Sequence, residues 1–154
     1  AERMTRQRIS EIPDGDYTAE DWLDDDGRNR DQRLKVKVTV RVRGDEVEVD
    51  LTGSADQTPT AYNVPFEGST KVAAYAGFRK LLLDAATSDA RVPSNEGSFR
   101  PIKVTAPLGS IFNPRAPASA EAFASAQACS PIALRVAASR KGDGASSMTF
   151  WLRR

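Results

Sequence analysis

The run Asn95-Glu96-Gly97-Ser98-Phe99-Arg100-Pro101 holds an amide, a carboxylate and a guanidinium close together in the chain. With Pro93 and Pro101 on either side, such a loop can present all three polar groups as a fixed cluster, and loops of this kind carry function disproportionately often. Asn95, Glu96 and Arg100 are therefore the first substrate-binding candidates. In the competing reading, Asn95 and Gly97 only shape a turn while Glu96 and Arg100 pair with each other or with a sheet. Asp50, with Asp56 beside Gly53, is a second candidate, set against the ordinary turn chemistry of Asp and Gly at a strand end. Asn63 is a third, although in Asn63-Val64-Pro65 the proline also forces the preceding backbone into an extended path.

The available chemistry is narrow. The chain has no His, which removes the usual general base and the commonest metal ligand, so any acid-base work falls to carboxylates. Asp24-Asp25-Asp26-Gly27 invites a calcium reading, but an EF-hand with its glycine at 27 needs acids where Trp22 and Arg33 stand. No phosphate-binding loop, dinucleotide fingerprint or serine elbow is present. The single Cys129 has no second thiol to pair with and reads as a small apolar filler, and no metal site is expected in this chain.

The elements that must position these residues are clearest in the middle of the chain. Leu34, Val36, Val38, Val40 and Val42 alternate with Lys35, Lys37, Thr39, Arg41 and Arg43, and after Gly44-Asp45 the chain returns over Glu46 to Leu51. This predicts a β-hairpin with Val42 facing Val47, Val40 facing Val49 and Val38 facing Leu51, and with Arg43 and Arg41 opposite Glu46 and Glu48. A strand over Tyr17 to Leu23 and a short one over Pro101 to Ala106 extend the sheet. A helix from about Ser69 to Asp84 is expected to cover it, through a stripe of Val72, Tyr75, Ala76, Arg79, Leu82 and Leu83 widened by Phe78 and Leu81. Thr87 to Asn95 reads as a loop, and Ala1 to Ile9 as the last turns of a helix that begins before the chain does. The fold class is α+β: an antiparallel sheet with a central β-hairpin packed against one main helix.

Composition bounds the partners. At 154 residues with 40% hydrophobic content, one domain with its own core is the prior. The net charge of +1 conceals segregation, because Glu11 to Asp26 carries eight acids and no base while Arg28 to Arg43 carries seven bases and one acid. These blocks are expected to neutralise one another across neighbouring strands, and since the bases alternate with Val and lack interleaved aromatics, no nucleic acid is expected. No run is apolar enough for a bilayer and no signal peptide is visible, so no membrane is expected and the cytoplasm is the default location.

Five motifs in order resemble the hydantoinase B/oxoprolinase family: Ile12-Pro13-Asp14-Gly15, Leu23-Asp24-Asp25-Asp26-Gly27, Val49-Asp50-Leu51-Thr52-Gly53-Ser54, Asn63-Val64-Pro65, and the run from Val92 to Pro117. The resemblance implies a piece of a large subunit that acts with a hydantoinase A-type subunit in ATP-dependent opening of cyclic amides such as hydantoins or 5-oxoproline. Related complexes carboxylate ketones. It also implies a hetero-oligomer in which the partner carries ATP and Mg²⁺, and a divalent metal held by His and Asp in a part of the family subunit that this chain does not contain. No catalytic role carries over to a residue here, and the chain alone is expected to be inactive. The alternatives are a small non-catalytic scaffold that docks through the uncovered face of its sheet, or part of a ketone carboxylase.

From residue 116 to 128 alanine falls at every even position. Enrichment in Ala, Ser and Arg is what GC-rich DNA read in a wrong frame tends to encode. The expected division is therefore a family-like partial domain over 1–117 and a tail over 118–154 that is of non-native frame or disordered.

Overall fold

A computed structural model describes residues 1–82 and 95–120, with the side chains of residues 80 and 81 excepted. The elements run α1 (Glu2–Ile9), β1 (Gly15–Leu23), β2 (Leu34–Arg43), β3 (Glu46–Asp50), a π-helical turn (Phe66–Thr70), α2 (Lys71–Leu82), a 3₁₀ turn (Glu96–Ser98) and β4 (Ile102–Thr105). They form an α+β unit around one four-stranded sheet in the order β1-β2-β3-β4.

The hairpin adopts the register that its alternation dictates. Val42 pairs with Val47, Val40 with Val49, Arg41 with Glu48 and Arg43 with Glu46. Gly44 turns the corner at φ 58°, a left-handed conformation suited to a residue without Cβ. β1 lies antiparallel to β2, with Gly15 opposite Val42 and Leu23 opposite Leu34. β4 departs from the antiparallel expectation and runs parallel to β3, Val47 beside Ile102 and Asp50 beside Thr105. The chain between β3 and β4 includes α2, and a helical crossover returns the chain to the end from which β3 started, which makes the next strand parallel.

One sheet face is apolar and closed. Val36, Val38, Val40 and Val42 of β2, Val47 and Val49 of β3, and Ile102 and Val104 of β4 are buried with Ile9, Ile12, Leu51, Val64, Ala74, Phe78, Leu82, Ile111 and Phe112. α1 contributes Thr5 and Ile9, one turn apart. α2 keeps Phe78 and Leu82 of the expected stripe inward and adds Ala74, whereas Val72 is 58% exposed and Ala76 and Arg79 also face out. The physical reason sits one turn earlier. Buried Thr70 donates its hydroxyl to the carbonyl oxygens of Phe112 (2.9 Å) and Val64 (3.4 Å), which fixes the helix rotation. Residues 70, 74, 78 and 82 then share the inward side and Val72 turns away.

The opposite face is polar and laced with ion pairs. Glu20 of β1 meets Lys35 and Lys37 of β2 at 3.0 and 3.6 Å, and Asp16 meets Arg43 at 2.6 Å. Acidic and basic blocks thus oppose each other across β1 and β2, as their order in the sequence predicts. Among the described residues no helix is long and apolar enough to cross a membrane. The expected loop over Thr87 to Asn95 lies, except for Asn95, outside the described residues; so do Cys129 and most of the expected tail.

Candidate functional site

The sequence candidates fall in three separate places. Asn95, Glu96 and Arg100 sit at the entry to β4, where Asn95 precedes the 3₁₀ turn and all three are exposed. Arg100 donates to Glu2 of α1 at 3.4 Å, so its structural partner is the first helix and neither Glu96 nor the sheet. A methyl group on Gly97 would stand 3.2 Å from Oδ1 of Asn95 and 3.6 Å from the backbone nitrogen of Glu2, so the small residue lets this turn lie close against the start of α1. Next to it is a shallow notch lined by Thr5, Arg79, Leu82, Ser98, Phe99 and Ile102. The exposed carboxylate of Glu96 and amide of Asn95 can offer an acceptor and a donor to a polar group.

Asp50 stands at the far end of β3, beside Thr105, so the length of β4 separates it from Arg100, over ~10 Å at ~3.3 Å per residue. Its Oδ2 accepts from Arg41 at 2.9 Å, and its Oδ1 accepts the N–H of Thr52 at 2.9 Å and the hydroxyl of Thr105 at 3.4 Å. Partial burial alone would raise its pKa; the bonds from Thr52 and the charge of Arg41 outweigh that and hold the carboxyl below its ordinary range. Arg41 also reaches Glu48 at 3.1 Å, and Glu48 takes Lys103 of β4 at 2.9 Å. The result is a ladder of paired charges across β2, β3 and β4. Asp56, exposed, bridges to Ser110 through the backbone.

Asn63 is fully buried, and its amide is engaged at both ends. Nδ2 donates to the carbonyl oxygens of Thr58 (2.8 Å), Thr60 (3.0 Å) and Ser119 (2.8 Å), while Oδ1 accepts the N–H of Thr58 at 2.8 Å. Thr60 in turn donates its hydroxyl to the carbonyl oxygen of Asp26 at 2.6 Å. The Asp26 carboxylate accepts the N–H groups of Asn29 (2.6 Å) and Arg28 (2.9 Å), which hold its pKa low and close the acidic turn after β1. Asn63 is thereby the node where the loops after β1, β3 and β4 meet. The proline at 65 draws attention in the sequence, and the node behind it goes unseen there; the one available signal was the spacing of Thr58, Thr60 and Asn63.

The geometry gives no convergence of Asn95, Glu96, Arg100, Asp50 and Asn63 on one cavity. Among the described residues no three His, Cys, Asp or Glu side chains gather as a metal would need, so they do not fit the divalent metal that the family resemblance implies.

Comparison with known proteins supplies the context. A family model described as Hydantoinase B/oxoprolinase matches residues 1–149, and the chain belongs to that family. The match runs on past Pro117, where the motif resemblance stops. A protein of Pseudomonas sp. (strain NS671), named as the B subunit of a D-/L-hydantoinase, is 43% identical over 124 residues, covering 77% of this chain and 20% of that protein. The beta subunit of the caprolactamase of Pseudomonas jessenii is 32% identical over 119 residues, covering 77% of this chain and 19% of its own length. The chain thus spans a fifth or less of these relatives. The crystal structure of the ATP-dependent caprolactamase from Pseudomonas jessenii superimposes with a TM-score of 0.67 at 23% identity, over 93% of this chain and 23% of that one, and shares the fold.

Proposed function

We propose that this chain is one structural portion of a B-type subunit in an ATP-dependent cyclic amidohydrolase, inactive alone and working with a hydantoinase A-type subunit. The observation that carries this reading is the 43% identity to the B-type D-/L-hydantoinase relative across most of the chain. The two relatives are named for a hydantoinase and a caprolactamase. Hydantoin and caprolactam rings both contain an endocyclic amide, so the substrate class proposed is the cyclic amide. In this reading ATP and Mg²⁺ belong to the A-type partner, the divalent metal to a part of the protein outside this chain, and the assembly to the cytoplasm, where ATP is at hand.

The portion's own task is scaffolding: the Asn63 node and the charge ladder hold loops and strands in place, and Asn95, Glu96 and Arg100 remain the groups available for a polar ligand. A graft tests this. Residues 1–149 replace the matching segment of the B-type D-/L-hydantoinase relative, the chimera is co-expressed with an A-type subunit, and ATP-dependent ring opening of hydantoin is measured. Activity within about tenfold of the parent is expected, with none from the 154-residue chain by itself. A folded, assembled chimera without activity would sink the proposal.

A further inference from the structure

We draw no further inference here: the strongest candidate, the polar face of the four-stranded sheet, where Trp22 stands 51% exposed beside the Lys35–Glu20 ion pair and the Arg41–Asp50 pair lies farther along the strands, carries none because nothing in the structure shows what covers it.

Discussion

Asn63 concentrates more hydrogen bonding into one side chain than any other candidate residue described above. Replacing it with Ala would strand the carbonyl oxygens and the N–H that its amide serves, in a place water does not reach, and an unsatisfied buried polar group costs ~1–3 kcal/mol. Asn63→Ala is expected to destabilise the fold by about 2–4 kcal/mol in urea unfolding, with more than one group left unpaired; a loss under about 0.5 kcal/mol would remove the node from the account. Two glycines separate conformational cost from steric cost. A methyl on Gly44 (φ 58°) would meet nothing within 4 Å, whereas on Gly27 (φ 79°) it would meet the Tyr62 ring at 2.9 Å. Gly44→Ala should cost ~1 kcal/mol from the left-handed backbone alone. Gly27→Ala should cost clearly more, and Tyr62→Leu should recover part of the excess in a double-mutant cycle; equal costs at both glycines would contradict the contact. At this scale the sequence was legible where one residue type has one use, as in Gly44 at the hairpin corner. It was opaque at Asn63, because the bonds to nearby Thr58 and Thr60 become a node only through Ser119 and Asp26, which lie far away in the chain.

Strand pairing was the most readable element, because a period of two admits a single register once one face must be buried, and Val40 opposite Val49 follows from that alone. The direction of β4 was not readable, since a four-residue strand with alternating burial looks the same whichever way it pairs. The rotation of α2 was legible only in part, at Phe78 and Leu82, for a related reason: its apolar residues surround too much of the helix to define a stripe, and Thr70, a polar residue, sets the phase. The consequence is measurable. Phe78→Ala should cost about 3–5 kcal/mol, as large-to-small changes in packed cores do, while Val72→Lys should fall within about 0.5 kcal/mol of the parent protein. A large loss at Val72 would restore the part of the expected stripe that turned outward, and a small one at Phe78 would contradict its burial.

For the molecule as a whole, carboxylates matter most in acid. Glu20, beside Lys35, and Glu48, beside Lys103, are held below the usual carboxylate range by hydrogen-bonded cations, as Asp26 is by backbone N–H groups. Each binds its proton less readily in the folded chain than in the unfolded one. Their stabilisation is therefore complete above the unfolded values of ~3.9 to ~4.3, and is lost as pH falls through the lower folded ones. The urea midpoint should be level from pH 7 down to about 5 and decline below that. High salt should shrink the share due to Glu20 and Glu48, whose partners are cations that still reach solvent, and spare that of Asp26; a midpoint that rises on acidification would refute the assignment.

The parallel pairing of β3 with β4 also sets an order of assembly. β1, β2 and β3 follow one another as neighbours, so each contact closes over a short stretch of chain, whereas Val47 and Ile102 meet only after the chain has travelled through a long loop and α2 and back. Closure entropy rises with the length of chain enclosed, and contacts distant in sequence slow folding. The three-stranded meander is the part able to organise from local contacts. The fourth strand completes the core only after the intervening chain has been gathered in, so the unpaired backbone edge of β3 stays open to other strands for as long as that takes.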